Sequence, residues 1–503
     1  MMHALLRSPA IRAIESSALA AGAPLMARAG LAAAKVTRAM LHAARYPARV
    51  LVLAGPGNNG GDGFEAATHL RTWGIDVVVV FAATAEHLPA DAATAYRKWR
   101  LPGGSTVDRL PPLAGFDLVV DAMFGIGLAR PITAPYAEWI AALNGSGMPV
   151  LALDVPSGLD ADTGYEHGLA VRASHTLTFI GDKPGLYTGN GPDCAGTIEV
   201  AALQLRPALI PGPDCGALTG LEDFSACQSP RLRNSHKGTY GTLAIIGGAP
   251  GMAGAALIAA RAALKAGAGR VLVGMLDASA PAVDPACPEL MLRPVDAVLE
   301  DRLDAIVVGP GLGQTGLAPA LLARAATLAC PLVLDADALN LIAANASLAA
   351  TVSRREVPTL MTPHPLEAAR LLGRTAESVQ RDRIAAALAI ARTYRTFVVL
   401  KGAGSVIATP AGQWWINPTG NPGMASAGMG DALAGITGAF AAQRFEAGDL
   451  LRAAVYLHGA AADALVARGI GPVGLTASEV ADEARTLWNQ WLHEAPTSVA
   501  RPA

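Results

Sequence analysis

The stretch NPGMASAGMGDALAGITGAF closes a glycine-rich loop on Gly428, Met429, Gly430 and Asp431 and runs straight into a helical pattern. Free backbone N–H groups at such a start hold phosphate oxygens and stabilise the charge that develops during phosphoryl transfer. A carboxylate at this point either caps the helix or acts as a base toward a substrate hydroxyl. Beside such a loop, the base is the preferred role for Asp431. Lys401, in LKGAGS, follows a strand pattern and precedes a tight turn, where a cation meets nucleotide phosphate more readily than it stands free in solvent. His364 lies between two prolines in TPHP, which present it rigidly.

A second set of groups lies far upstream. LVLAGPGNNGGDGFEAATHLRTWG reads as strand, glycine-rich loop and helix, with Asn58, Asn59 and Asp62 packed among glycines as ligand contacts. Its spacing is neither the GxGxxG of a dinucleotide dehydrogenase nor a phosphate loop ending in lysine. DAMFGIGLARPI and LDVPSGLDADTG place Asp121, Asp154 and Ser157 at the carboxyl ends of strands, where an open parallel sheet gathers ligand groups. Asn59, Asp121 and Ser157 offer only oxygen donors, which suit a hard monovalent or divalent cation and not zinc. Asp154 is the candidate acid or base; a turn or cap role is the alternative for each aspartate and the preferred one for Asp160 and Asp162.

The elements that must position these groups alternate regularly. RVLVLAG, IDVVVVFAA, FDLVVDAM and PVLALDVPSG, then TLAIIGG, RVLVGML, DAIVVGPG, CPLVLDAD and TFVVLKG, are short apolar strands separated by alanine-rich helical stretches. Such alternation predicts an α/β protein with parallel sheets covered on both faces. At 503 residues the chain exceeds one ordinary core. Prolines at 207, 211, 213 and 230 mark a boundary near residues 207 to 232, giving domains over 1–215 and 225–495.

Composition narrows the function classes. Hydrophobic residues make up 52% of the chain, largely through alanine, but charges such as Arg261 and Lys265 interrupt the apolar stretches. No run approaches the roughly 18 uncharged residues of a membrane span, and Arg7, Arg12 and Glu15 break any secretory pattern at the start. A cytoplasmic enzyme without membrane contact is expected. Five cysteines without a CxxC pair predict reduced, structural thiols. A net charge of −2 without a basic run predicts no nucleic-acid partner.

The ordered motifs AIESSALAAGAPLMARAG, GPGNNGGDG, DAMFGIGLARP, DVPSGLD and TFIGDKPGLY make the first half resemble the N-terminal domain of the bifunctional NAD(P)H-hydrate repair enzymes. That resemblance implies a Rossmann-like three-layer epimerase domain. It implies that Asn58, Asn59, Gly60, Gly61 and Asp62, with Gly125, Ile126, Gly127, Leu128, Ala129, Arg130 and Pro131, hold the hydrated dinucleotide. It also implies that Asn59, Asp121 and Ser157 bind K+ and that Asp154 contacts substrate.

KGTYG, GGAPGMAGAA, GPGLG, DADALN, TPHP, KGAGS and NPGMASAGMGD make the second half similar to the ribokinase-like ADP-dependent NAD(P)H-hydrate dehydratases. By that similarity Ala255, Gly313, His364 and Asp431 contact the hydrated dinucleotide. Lys401, Gly402, Ala403, Gly404, Ser405 and Gly430 hold the nucleotide, with Mg2+. Two positions depart from the family pattern: Leu366 stands where glycine is expected and Met429 where threonine is. The expected substrates are hydrated NADH and NADPH (NADHX and NADPHX) with ADP, and a homo-oligomer is expected. The rival readings are a ribokinase-like vitamin-precursor kinase for the second half and a non-catalytic binding module for the first.

Overall fold

The computed structural model describes residues 3–41, 48–101, 103–128, 130–205 and 214–494. Ala129, the prolines at 207, 211 and 213, and residue 495 at the end of the expected second domain lie outside the described residues. The chain divides into two compact units, one of Ala4–Gly216 and one that begins at Ala217.

In the first unit the strands run, in order, Thr106–Val107, Asp76–Val80, Arg49–Ala54, Leu118–Ala122, Val150–Leu153, His175–Phe179 and Thr197–Ala201, all parallel. A buried parallel strand alternates its side chains between two covered faces, so it reads as an unbroken apolar run. Val50, Val52 and Ala54 enter a cluster with Ala33, Phe64 and Ala67, whereas Leu51 and Leu53 enter another with Trp139, Ile140 and Leu143. The helices Leu25–Met40 and Asn58–Thr72 therefore cover one face and Tyr136–Ser146 the other, which is the expected three-layer arrangement.

In the second unit the order is Cys215–Leu218, Trp414–Asn417, Ser405–Ala408, Phe397–Leu400, Thr359–Met361, Leu332–Leu334, Ala305–Val308, Thr242–Gly247, Arg270–Met275 and Met291–Pro294. Most neighbours are parallel, the mixed α/β class expected of a ribokinase-like domain. Phe397–Leu400, Ser405–Ala408 and Trp414–Asn417 instead form an antiparallel meander. The reason is loop length: the short KGAG connection cannot carry the chain back across the sheet, so it makes a hairpin.

The helices Ala253–Lys265, Met429–Ala442 and Ala447–Ala467 bury their alanines against Leu243, Ile245 and Val307. By length and composition Ala447–Ala467 could cross a membrane, yet it carries Asp449, Arg452 and Asp463, and its Leu450, Leu451 and Leu457 lie in the core. All five cysteines are unpaired, and burial pushes the Cys194 and Cys227 thiols up to about 12, far from reactive thiolates.

Candidate active sites

In the first unit, the strand ends at Ala54, Ala122 and Leu153 bring three loops together. Asn58 and Asn59 open the helix Asn58–Thr72, and a Cβ on Gly60 would lie 2.0 Å from the carbonyl oxygen of Gly55. That glycine lets the helix seat directly on its strand. Asn58, Asn59, Asp62, Gly125, Ile126, Gly127, Leu128, Arg130 and Asp154 line one cavity of about 790 Å³, a size suited to a nucleotide-sized ligand. Gly60, Gly61 and Pro131 do not line it.

Beneath the cavity lies a buried polar knot. Asp121 and Ser157 are fully buried; Ser157 Oγ donates to Asp121 Oδ1 at 2.6 Å and its backbone N to Oδ2 at 2.8 Å. Burial outweighs those bonds and pushes the Asp121 carboxyl up to about 6. Asn59 Nδ2 donates to the Leu153 carbonyl at 3.1 Å, while its buried Oδ1 has no hydrogen-bond partner among the described residues. A buried amide oxygen without a partner and a buried carboxylate are each costly unless something positive meets them.

Asp154 adopts φ 68°, the left-handed region a non-glycine residue enters only when its surroundings impose it. Its Oδ1 is 2.8 Å from Lys183 Nζ, and its Oδ2 accepts from the Ile126 N–H at 3.2 Å. Lys183 is fully buried and also donates to Thr178 Oγ1 at 2.7 Å and the Phe179 carbonyl at 3.0 Å. Sequence reasoning missed this lysine, although TFIGDKPGLY contains it; nothing local says that it reaches back to Asp154. Asp160 and Asp162 have the bland roles preferred for them. Asp160 accepts the N–H groups of its own turn, and Asp162 Oδ1 accepts the Ser8 N–H at 2.6 Å where the first helix starts.

In the second unit, the adjacent parallel strands ending at Leu334, Met361 and Leu400 deliver Asp335, Thr362 and Lys401 to one edge. Lys401 Nζ lies 2.7 Å from Asp335 Oδ1, which also accepts from Thr362 Oγ1 at 2.7 Å. Lys401 is thus a partly buried, ion-paired cation, and Asp335 is a second missed residue, 66 positions away in the chain.

Gly430 covers that pair: a Cβ there would meet Lys401 Nζ at 3.2 Å. Asp431 follows in the first turn of Met429–Ala442, and no side chain caps that helix. Burial, with Asp335 repelling its charge, pushes the Asp431 carboxyl up to about 7 despite the opposing pull of Lys401. A carboxyl poised there is suited to take a proton near neutral pH.

His364 is committed locally. Its Nδ1 accepts from the Leu366 N–H at 3.1 Å, and Glu367 Oε2 accepts the His364 backbone N–H at 2.8 Å, a capping box for Pro365–Leu372. Burial lowers its pKa, so the ring faces the site neutral. Ala255 opens the helix Ala253–Lys265 beside Gly311, and the Gly313 N–H donates to Asp337 Oδ2 at 2.9 Å. The turn Lys401–Ser405 is closed by Ser405 Oγ donating to the Gly402 carbonyl at 3.1 Å. Of the two departures, Leu366 is half exposed, and Met429 is buried in the hydrophobic core behind the loop.

Comparison with known proteins follows the same division. Residues 243–485 match the family described as NAD(P)H-hydrate dehydratase, and residues 22–185 match the YjeF-related protein N-terminus. The bifunctional NAD(P)H-hydrate repair enzyme Nnr of Coxiella burnetii is 40% identical over 503 residues, covering 97% of this chain and 100% of that protein. The Escherichia coli protein of the same name is 39% identical over 91% of this chain and 87% of its own length. A crystal structure of the ADP/ATP-dependent NAD(P)H-hydrate dehydratase from Bacillus subtilis, co-crystallised with ATP and Mg2+, is 34% identical over 55% of this chain and 98% of that one, with a TM-score of 0.49.

Proposed function

The chain belongs to the family of bifunctional NAD(P)H-hydrate repair enzymes, and on that premise we propose how its two sites divide the chemistry. The substrate carries a hydroxyl on the reduced nicotinamide ring, beside the ring nitrogen. Hydroxide leaves poorly. In the second unit Asp431 takes the hydroxyl proton as the oxygen attacks the terminal phosphoryl group of ADP, releasing AMP. Loss of phosphate and of a neighbouring proton then restores the conjugated ring. The amides at Gly428–Asp431 and the Lys401 ammonium stabilise the phosphoryl oxygens. Lys401–Ser405 and Gly430 hold the nucleotide; Ala255, Gly313 and His364 hold the hydrated ring. The observation that carries this reading is Asp431 itself: a carboxyl that caps no helix, poised near neutrality, beside a partly buried lysine.

Mg2+ fits this site through oxygen donors. It is commonly bound by one or two carboxylates together with substrate phosphates, and Asp335 and Asp431 are the carboxylates at hand. When bound, it neutralises phosphate charge.

In the first unit, the cavity holds the same dinucleotide, and Asp154 exchanges the two epimers so that both reach the dehydratase. K+ fits the knot beneath it. The partnerless Asn59 Oδ1, the buried Asp121 carboxylate and the Ser157 hydroxyl bonded to it are hard oxygen donors of the kind such an ion takes. Bound there, it offsets the Asp121 charge and fixes the loops that line the cavity.

The test is recovery of the reduced-nicotinamide absorbance from a mixture of both hydrate epimers, with ADP and ATP supplied separately. Complete recovery of both epimers is expected. Recovery of one epimer alone removes the epimerase assignment, and no recovery with either nucleotide removes the dehydratase assignment.

A further inference from the structure

One wall of the first cavity, whose lining also includes Asp154, is formed by the helix Ser8–Ala20, whose Ile11, Arg12, Glu15 and Leu19 all face inward. Positions i, i+4 and i+8 share one helix face, so Glu15 stands between two apolar side chains on a wall continued by Leu25 and Met26. A carboxyl there has no structural need to meet. Besides the Asp162 bonds at its start, the helix is tied to the site by its own Arg12, whose Nη2 donates to the Ile126 carbonyl at 3.3 Å. The N–H of that same Ile126 donates to Asp154 Oδ2. One residue therefore ties the helix to the loop that aims Asp154, and Glu15 lies one turn beyond the tie.

We propose that Glu15 is the acid of the epimerisation, working in the same cavity as Asp154. The inference rests on the epimerase reading. Asp154, ion-paired with Lys183, takes the hydroxyl proton of the hydrated ring. The O–H electron pair becomes the second bond of a carbonyl, and the carbon–nitrogen bond breaks. Its pair goes to the ring nitrogen, which takes the proton of Glu15. The opened aldehyde turns about the adjacent carbon–carbon bond. The nitrogen then adds to the other face of the carbonyl and returns its proton to Glu15, and the oxygen takes its proton back from Asp154. Nothing is oxidised, reduced or consumed, as epimerisation requires.

The surroundings shift Glu15 toward its protonated form. Burial, with the Asp154 and Asp91 charges, raises its pKa, and Arg12 and Lys183 oppose that only in part. Asp62 also faces it and is itself raised well above the usual carboxylate range, by burial and by the Asp154 and Glu15 charges. Two carboxyls lining one cavity, one paired with lysine and one flanked on its helix by Ile11 and Leu19, form the kind of pair that environment separates into base and acid.

The experiment compares the full-length wild type with Glu15→Gln, Glu15→Asp and Asp62→Asn, measuring epimer exchange, NADPH binding to the first unit and dehydration of the S epimer across pH. An acid must be protonated, so wild-type exchange falls as pH rises through the Glu15 titration. Glu15→Gln is expected to lower exchange about 10²-fold or more, to lack that alkaline fall, and to keep ligand affinity and dehydratase rate. Glu15→Asp should restore part of the rate together with the alkaline fall. Exchange by Glu15→Gln within about threefold of wild type overturns the proposal. So does an alkaline fall that persists in Glu15→Gln and vanishes in Asp62→Asn. Absence of exchange in the wild type would instead remove the epimerase reading itself.

Discussion

The ammonium of Lys401 sits 2.7 Å from Oδ1 of Asp335, with Gly430 lying over the pair. Asp335 therefore does two things to the neighbouring site. It anchors Lys401, whose charge lowers the Asp431 pKa, and its own charge raises that pKa. Replacing Asp335 with asparagine removes the repulsion and leaves Lys401 free to pair with Asp431, so both changes lower that pKa. A base works only when ionised, and the acid limb of the dehydratase pH profile should move to lower pH. Leaving one buried partner unpaired costs roughly 3–5 kcal/mol, so the melting temperature should fall as well. An unmoved acid limb in a folded variant would separate Asp335 from Asp431.

Asp431→Asn should reduce dehydratase turnover about 10²- to 10⁴-fold while nucleotide affinity changes little. Stability should move the other way. A carboxyl raised from 3.8 to about 7 in the fold disfavours folding once pH exceeds the unfolded value, increasingly up to about 7 and constantly above. The asparagine variant should therefore melt above the wild type at pH 7 to 8. That advantage should disappear below pH 3.8, where both states carry the proton. No helix cap is lost to offset it, because Asp431 caps nothing. A lower melting temperature at neutral pH, with turnover reduced less than tenfold, would return Asp431 to a structural role and make His364 the next residue to test.

What the sequence discloses and what it hides follow from distance along the chain. Asn58, Asn59 and Asp431 stand where a glycine-rich turn opens a helix and Asp154 directly follows a strand, and the apolar runs before them already say that these turns lie at the carboxyl edge of a sheet. The partners are different. Lys183 reaches Asp154, and Lys401 reaches Asp335, only because strand order makes neighbours of segments that no local pattern connects. Glu15 lies on a helix tied to Asp162 and Ile126, both far along the chain. His364 shows the converse: its prolines signal a fixed ring, and only the capping box shows that the fixing begins with a helix end.

Exchange of the protein from K+ into a bulky organic cation should depress epimerase activity and leave the dehydratase unaffected. The Asp121 carboxyl, pushed up to about 6 by burial, is still mostly ionised at neutral pH, so its buried charge is left uncompensated unless a cation meets it. Restoring K+ should recover the activity and raise the melting temperature of the first unit. Asn59→Ala, which deletes the partnerless amide oxygen, should weaken the K+ response without abolishing the fold. Equal epimerase activity in both cations would leave Asp121 and Ser157 as a purely structural knot.

Asp154→Asn should stop epimer exchange while the S epimer is still dehydrated at the normal rate, because the two reactions belong to separate compact units. The expected trace is biphasic: one epimer is repaired and the other waits for spontaneous exchange. The substitution also removes the carboxylate that meets Lys183, and a fully buried ammonium tolerates that poorly. Thr178 Oγ1 and the carbonyls of Phe179 and Gly181 still accept from it, at 2.7 to 3.3 Å, which should limit the loss of stability. The double variant Asp154→Asn with Lys183→Met separates the two effects. It should regain stability relative to Asp154→Asn and remain inactive in exchange. If exchange returns with stability, Asp154 serves only to neutralise Lys183, and the base of the epimerase lies elsewhere on the cavity wall.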